Sequence, residues 1–320
     1  MDLLSDLLDA PRARGAFLMR VVMSPPWAIR ISDEAPLTLM PQLSGRSWFR
    51  PDGDQAQLLE PGDVLLVRSP TPYSLSTHPD DEADITIGAG QACAGSDGRD
   101  LSAEMSSGIR VWGNDPAGGD QMLVGTYRHD GEVGRLLLGS VPPWLVVHNP
   151  APELVSLLNQ ELTHDDVGQG GMLDRLLDLL LINTLRTWAS QDDGAAGWLR
   201  TRSDPVVAEV LRSVHEHPER PWTVAELATR AGVSRAAMAR RFTEAVGTSP
   251  MAYLTEWRLA VGADLLRDEE LTLGAIARRI GYGSSFSFST AFKKRYGVSP
   301  QEYRQDRSIG SASPSTSAVV

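Results

Sequence analysis

The sequence predicts an α+β multidomain protein with an N-terminal β-barrel, a helical connector and a C-terminal all-α domain that carries two helix-turn-helix motifs. Three observations support this prediction. Short apolar runs separated by turn signals fill residues 16–88, which is typical of a sandwich or barrel. From Pro152 the apolar residues recur at helical spacing. Residues 232–250 and 281–300 have similar sequences, GVSRAAMARRFTEAVGTSP and GYGSSFSFSTAFKKRYGVSP.

The charge of the chain is unevenly distributed. The 320 residues are enough for two domains, and the formal net charge is −11. Residues 205–306 hold 14 Lys and Arg against 12 Asp and Glu, whereas the rest of the chain holds 16 against 29. Because phosphate repels an acidic surface, we expect any contact with nucleic acid to belong to the C-terminal region.

Several features predict a cytoplasmic protein without a membrane partner. The N-terminal sequence MDLLSDLLDAPRARG has acidic residues where a secretory signal peptide would have basic ones. The richest apolar run, Met172 to Trp188, is interrupted by charged residues and predicts no membrane span. The single cysteine, Cys93, excludes an intramolecular disulfide and agrees with a reducing compartment.

The N-terminal β domain is predicted to cover residues 1–150. Its expected strands are FLMRVV, AIRI, LTLMPQL, SWF, VLLVRS, YSLS and DITIG. A glycine-rich stretch, GAGQACAGSDGRD, is expected to form a loop that contains Cys93. MLVGTY and RLLLGSVPPWLVV then complete the domain.

The connector is predicted to cover residues 151–203, with helices over PELVSLLNQEL and GGMLDRLLDLLLINTLRTWAS. The second helix has a broad apolar arc that includes Leu179 and Ile182. It either packs on the β domain alone or also pairs two protomers, and a homodimer is expected. The DNA-binding domain is predicted over 204–306, and the polar tail 307–320 is predicted to be disordered.

Each copy of the repeat predicts helix, glycine turn and helix. In the first copy, Thr223 and Glu226 form a capping box, Gly232 permits the turn, and the second helix begins at Ser234. Phe242 recurs fifty residues later as Phe292, but Gly232 recurs after only forty-nine, as Gly281. One extra residue therefore enters the second copy in or after its turn.

These motifs, with A-x3-G turns, F-x4-G-x-S-P ends and the final Tyr303-Arg304, resemble the DNA-binding domain of the AraC/XylS family of bacterial transcription regulators. The resemblance covers about residues 205–306. It implies two recognition helices in successive major grooves of double-stranded DNA. The residues that would face DNA by position are Ser234, Arg235, Ala236, Ala239 and Arg240 in the first copy, and Ser285, Phe286, Ser289 and Thr290 in the second.

The two copies differ in the chemistry of these positions. Arg235 and Arg240 can donate to guanine or hold phosphates, although an arginine on an exposed helix can also be simply solvated. The outward residues of the second copy are short or apolar. We expect that copy to grip phosphates through Lys293, Lys294 and Arg295 and to read DNA shape.

The stretch LLEPGDVLLVRSPTPYSL resembles the second motif of the cupin barrel, and a looser resemblance to cupin-like sensor domains covers roughly residues 8–150. Tyr73 stands where metal-binding cupins keep histidine, and no H-x-H with a following Glu lies upstream. We therefore expect no metal and no cofactor. His215-Glu216-His217 is the only H-x-H, and its helical spacing argues against a metal site.

The effector site has fewer sequence signals. Trp27, Arg30, Trp48 and Tyr73 lie on or beside predicted strands and are candidates for lining a ligand pocket, although tryptophans on strands are more often core residues. Cys93 is either an ordinary thiol or one that senses oxidants or electrophiles, with Arg99 lowering its pKa.

The sequence therefore predicts a sequence-specific transcription regulator that responds to a small molecule or a reactive species. Activation is commoner in the resembled family, which would make RNA polymerase a partner. No motif for a catalytic nucleophile or paired catalytic carboxylates stands out, so no catalytic residue is expected. The alternative is a cupin-type enzyme or metal-binding protein that carries a DNA-tethering domain.

Overall fold

The computed structural model describes residues 17–68, 71–127, 131–139, 141–164, 166–191 and 204–310. These residues divide into two compact units. The β unit comprises the described residues between 17 and 127 and between 141 and 191. The helical unit comprises residues 204–310 together with 131–139.

Two sheets build the β unit. Their strands are β1 (Phe17–Met23), β2 (Ala28–Ile31), β3 (Leu37–Ser44), β4 (Ser47–Pro51), β5 (Gln57–Leu59), β6 (Asp63–Arg68), β7 (Tyr73–Ser76), β8 (Ile85–Ile87), β9 (Cys93–Gly95), β10 (Ser106–Gly108), β11 (Val111–Trp112), β12 (Asp120–Tyr127) and β13 (Trp144–His148). One sheet has the strand order β10-β11-β1-β12-β3-β6-β13, and the other has the order β5-β4-β7-β2-β8-β9. A 3-10 turn (Ala89–Gln91) and a short helix α1 (Ser102–Met105) lie between strands. The predicted β-rich N-terminal domain is confirmed.

The core of the β unit contains side chains from both sheets. Phe49 on β4 is fully buried, and its ring centroid lies 5.5 Å from that of Tyr73 and 5.3 Å from that of Trp144. Burying apolar side chains from two facing sheets is the main stabilising term in such a fold.

Two helices of the β unit follow β13: α3 (Pro152–Glu161) and α4 (Gln169–Gln191). A Cβ built on Gly125 of β12 would lie only 2.6 Å from Leu177 of α4, so this glycine lets the helix pack closely on the sheet. The predicted connector 151–203 is therefore not a separate segment where it is described. Its helices are part of the β unit, and residues 192–203 lie outside the described residues.

The helical unit contains the repeat. Its helices are α2 (Glu132–Leu138), α5 (Pro205–Glu216), α6 (Val224–Arg230), α7 (Arg235–Val246), α8 (Pro250–Leu265), α9 (Leu273–Arg279), α10 (Ser285–Tyr296) and α11 (Pro300–Gly310). Among the described helices of both units, none is long and apolar enough to cross a membrane.

Two segments differ from the expectation. RLLL, expected to continue the β domain, lies in α2, whose backbone N–H groups find acceptors on α8. The predicted disordered tail 307–320 overlaps a helix, because α11 continues to Gly310. Residues 311–320 lie outside the described residues.

The two copies of the repeat match helix for helix. Each has a first helix of 7 residues and a second of 12. Gly232 and Gly281 take φ angles of 70° and 81° in the turns, a region that favours glycine. The N-caps of the second helices, Ser234 and Ser284, are fifty residues apart, so the extra residue lies between Gly281 and Ser284.

Caps predicted from the sequence are present. Thr223 and Glu226 form the expected capping box on α6. Asp204 caps α5 by accepting from the N–H groups of Val206 and Val207, and it also accepts two hydrogen bonds of 2.8 Å from Arg241 of α7. One carboxylate thus caps α5 and holds α7 against it.

Candidate DNA-binding surface and sensor cavity

Helix α7 presents a mixed basic and small-residue face. Met238 and Phe242 are fully buried, which fixes the rotation of the helix. Residues 234, 235, 236 and 240 are exposed and 239 is half-buried. The structure therefore brings the five predicted residues of the first copy onto one outward face.

The two arginines of this face differ in their partners. Within the described part of the chain, Arg235 has no hydrogen bond or ion pair. Arg240 lies 3.2 Å from Glu244 one turn on, and both side chains are more than 60% exposed. An exposed pair at this spacing contributes only about 0.3–0.5 kcal/mol, so phosphate or a base edge can displace it.

Helix α10 presents a different surface. Ser284 and Ser287 form a capping box, and Phe288 and Phe292 are fully buried. Ser285, Phe286 and Thr290 are exposed and Ser289 is half-buried. The phenyl ring of Phe286 is 81% exposed.

The basic residues at the end of α10 are not equivalent. Lys293 and Lys294 are exposed. Arg295 instead donates to Glu256 of α8 at 2.5 Å and lies over the ring of Tyr296. The hydrogen bond to Glu256 raises the pKa of Arg295. The side chains of Arg295 and Glu256 are 48% and 39% exposed, so phosphate can also displace this pair, and the phosphate contact of Arg295 stays a prediction.

The H-x-H segment has a packing role. His215 is buried, stacks on Trp257 of α8 with ring centroids 3.7 Å apart, and lies with Nε2 2.8 Å from the hydroxyl of Tyr253. Its ring thus fastens α5 to α8. Among the described residues no group of three His, Cys, Asp or Glu could hold a metal ion.

A cavity of about 140 Å³ lies in the β unit. Its wall is mostly apolar. The lining residues include Met19, Val21, Ile29, Met40, Tyr73, Cys93, Trp112, Met122 and Val124. The polar members are Asp33, Gln91 and Ser102, and Gln91 donates to Asp33 at 2.7 Å.

The hydroxyl of Tyr73 is the notable polar atom of this cavity. Tyr73 is 4% exposed, and the hydrogen bond it makes within the described residues is to the sulfur of Met40 at 3.9 Å. A thioether is a weak acceptor. Burial raises the pKa of the Tyr73 phenol far above its ordinary value, so it stays a neutral donor.

The other sensing candidates lie elsewhere. Trp27 is buried in the core, where its Nε1 donates to Asp120 at 2.9 Å. Arg30 forms a two-pronged ion pair with Asp52. Neither residue lines the cavity, and Trp48 does not line it either, so a pocket role for these three stays a prediction.

Cys93 lies on β9 rather than in a loop. Burial, with a smaller effect from Asp100, raises the pKa of its thiol. Arg99 forms an ion pair with Glu104 at 3.1 Å. The expectation that Arg99 would lower the pKa of Cys93 is therefore wrong.

Comparisons with known proteins agree with both units. Residues 2–190 match a cupin family, and residues 227–306 match a helix-turn-helix domain family. A putative AraC-like transcription regulator from Streptomyces antibioticus is 34% identical over 316 residues, which cover 95% of this chain and 99% of that protein. The chain belongs to the AraC-like transcription regulators.

Further likenesses extend the comparison. The HTH-type transcriptional regulator AlkR from Acinetobacter baylyi is 28% identical to this AraC-like regulator over 319 residues, covering 95% of this chain and 99% of AlkR. Among solved structures, the DNA-binding domain of AdpA in complex with a target DNA is 28% identical, covers 34% of this chain and 99% of that chain, and has a TM-score of 0.32.

Sequence reasoning missed most of the cavity wall of this AraC-like regulator. On β1, Met19 and Val21 both line the cavity, as does Phe17, and they alternate along the strand. Because Leu18 and Val22 of the opposite face are apolar as well, the sequence did not show which face of β1 lines a cavity. It could not show that the inward faces of β1, β2 and β12 leave a space.

Proposed function

We propose that this AraC-like transcription regulator binds a small, largely apolar effector in the cavity of its β unit and that the effector controls how it acts on DNA. The observation that carries the proposal is the apolar cavity of about 140 Å³ with Tyr73 among its lining residues.

The size and polarity of the cavity indicate the effector class. A protein cavity of about 150 Å³ with an apolar lining holds a molecule the size of benzene. The hydroxyl of Tyr73 and the pair formed by Asp33 and Gln91 supply a few polar contacts in an otherwise apolar wall. Such a site fits a small aromatic or short aliphatic molecule with one hydrogen-bond acceptor.

On the DNA side, we propose that α7 and α10 enter successive major grooves. The proposed contacts are Ser234, Arg235, Ala236, Ala239 and Arg240 from α7, and Ser285, Phe286, Ser289, Thr290, Lys293, Lys294 and Arg295 from α10. Their shared feature is that they lie on the outward faces of two helices whose buried faces are fixed by phenylalanines. Arginines supply base and phosphate contacts, and lysines supply phosphate contacts.

A homodimer, activation and a cytoplasmic location complete the proposal. Met172 and Leu179 on α4 are 42% and 45% exposed and lie seven residues apart, so they share one helix face that a second copy would cover. An activator would contact RNA polymerase. Access to chromosomal DNA places the protein in the cytoplasm.

The experiment uses the purified full-length protein and a panel of small aromatic and aliphatic alcohols, ketones and hydrocarbons. Binding is measured as a rise in Tm and as a change in tryptophan fluorescence, since Trp112 lines the cavity. Val124→Phe fills the cavity and should abolish binding, whereas Val124→Ile adds one methyl group and is the matched control. Tyr73→Phe should weaken acceptor-bearing ligands but not hydrocarbons.

The outcomes separate the proposal from its rival. If no compound raises Tm, or if Val124→Phe responds like the wild type, the cavity is not the effector site. Stoichiometric metal retained through purification would instead support a cupin-type metal protein or enzyme. The non-enzymatic function is favoured because the full-length relatives are named as transcription regulators.

A further inference from the structure

We propose that Phe286 reads the 5-methyl group of a thymine in the major groove. The proposal rests on the DNA-contact face proposed above and assigns a base and a contact to one position on it. It also changes the expected role of the second motif from phosphate grip and shape readout to direct base reading.

The exposure of Phe286 is the first observation. Its side chain is 81% exposed, whereas Phe288 and Phe292 of the same helix are fully buried. Among the described residues of the helical unit, it is the one large hydrophobic side chain classed as exposed. A phenyl ring this exposed forgoes most of the free energy that burial would give, and a partner that covers the ring would recover it.

The neighbours of Phe286 limit what this surface can recognise. The hydroxyl of Thr290, one turn on, donates to the carbonyl oxygen of Phe286 at 3.0 Å. The hydroxyls of Ser284 and Ser287 are paired with each other at 3.1 Å. Three hydroxyls around Phe286 are therefore engaged within the helix, and its phenyl ring is the large apolar group on this face.

The major groove offers one apolar feature, the 5-methyl group of thymine, and phenylalanine is among the side chains that contact it. Residues near the N-terminus of a recognition helix reach base edges, and Phe286 is the second residue of α10. Lys293 and Lys294 follow two turns later, at a distance suited to the sugar-phosphate backbone.

The first copy provides an internal comparison. Fifty residues before Phe286 stands Ala236, which is also exposed on its helix. The two recognition helices thus place a methyl group and a phenyl ring at the same point of the same motif. The two half-segments of the operator should therefore differ at the base that meets this position.

The experiment begins with duplexes selected from a random pool by the full-length wild-type protein, which are then footprinted to locate the segment under α10. Each thymine of that segment is replaced singly by deoxyuridine, which removes the methyl group and keeps the base pair. At one thymine the wild type should lose about fourfold in affinity, the amount expected for one buried methyl group.

The variants complete a double-mutant cycle. Phe286→Ala should bind the thymine duplex more weakly and lose nothing further on the deoxyuridine duplex, whereas Phe286→Leu should keep part of the methyl effect. Lys294→Ala should weaken both duplexes alike. Deoxyuridine in the segment under α7 should affect the wild type and Phe286→Ala equally. Because Phe286 is exposed, Tm should not change.

Three outcomes would overturn the proposal. Equal sensitivity of the wild type and Phe286→Ala to deoxyuridine would show that another group meets the methyl. In a second outcome, deoxyuridine has no effect on affinity, but thymines react with permanganate when the wild type is bound and not when Phe286→Ala is bound. That result would show that the ring inserts between base steps instead of contacting a methyl group. If the wild type selects no duplex at all, the proposed DNA-contact face fails first and the thymine contact with it.

Discussion

Asp264 of α8 caps the helix that begins at Glu132. Its Oδ1 accepts the backbone N–H of Glu132 at 2.9 Å, and its Oδ2 accepts that of Val133 at 3.1 Å. The residue at the N-cap of α2 is Gly131, which has no side chain to do this. A Cβ at Gly131 would lie 2.5 Å from Asp264 Oδ2, so the glycine makes room for a cap supplied from another helix.

We expect Asp264→Ala to loosen α2. Two part-buried N–H groups would lose their acceptor, at a cost of about 1–3 kcal/mol. Hydrogen exchange at the amides of residues 132 and 133 should accelerate, and the urea midpoint should fall. Glu269→Ala, which removes an exposed carboxylate nearby, is the matched control. Unchanged exchange at both amides would mean that the cap contributes no stability.

Asp204 should make the helical unit sensitive to acid. Burial acts to raise its pKa, but hydrogen bonds from Arg241 and from the N–H groups of Val207 and Val206 outweigh it and hold the pKa below the ordinary value of 3.8. A depressed pKa contributes stability that is present above the unfolded value and is lost as the pH falls through the folded one. The loss is therefore expected below about pH 4.

Asp204→Asn tests this assignment, because asparagine keeps the N-cap acceptor but not the charge. The variant should be about 1–2 kcal/mol less stable than the wild type at pH 7 and should lose less on acidification to pH 3. Urea unfolding at pH 7, 5, 4 and 3 provides the measurement. Parallel acid profiles for the two proteins would rule out Asp204 as the titrating group.

Cys93 should react slowly at neutral pH. Burial and the charge of Asp100 raise the pKa of its thiol, so the thiolate fraction at pH 7 is lower than that of a free cysteine. Alkylation by iodoacetamide, followed by mass spectrometry, should accelerate as the pH rises above the ordinary thiol pKa. Asp100→Asn should shift the profile to lower pH, and Arg99→Ala should leave it unchanged. Fast reaction at pH 7 would contradict the structure and favour an oxidant-sensing thiol.

The two kinds of basic residue should differ in their effect on DNA binding. Arg235→Ala should cost about 1–3 kcal/mol on the selected duplex and relax the base preference at one position. Lys294→Ala should weaken binding to all duplexes alike and reduce the slope of log K against log salt by about one. Arg295→Ala, from the same helix, also removes the pair with Glu256, so it should lower the urea midpoint as well as the salt slope. Identical effects of all three would contradict the assigned faces.

The repeat could be derived from the sequence because local chemistry determines it. Caps at Thr223 and Thr272, turn glycines with positive φ and buried phenylalanines recur at spacings of 49 or 50 residues, and the caps and turns act within a few residues of themselves. The same holds for the short strands, whose ends carry turn signals.

What the sequence did not reveal depends on contacts between distant residues. Arg295 resembles its neighbouring lysines in the sequence, and only the fold brings Glu256 against it. Trp27 is a pocket candidate in the sequence, and only the fold shows that Asp120, 93 residues away, accepts a hydrogen bond from its indole N–H. RLLL has the composition of a strand or a helix, and the packing of α2 against α8 decides between them.

The position of α2 also bears on how the chain can be divided. A fragment that starts at residue 204 contains every helix of the repeat but lacks residues 131–139, which are native to the same unit. Such a fragment would expose to solvent the Asp264 carboxylate and the face of α8 that contacts α2. A separate peptide of residues 131–139 should bind that fragment. The helical unit is therefore discontinuous in the sequence, and no single truncation point isolates it whole.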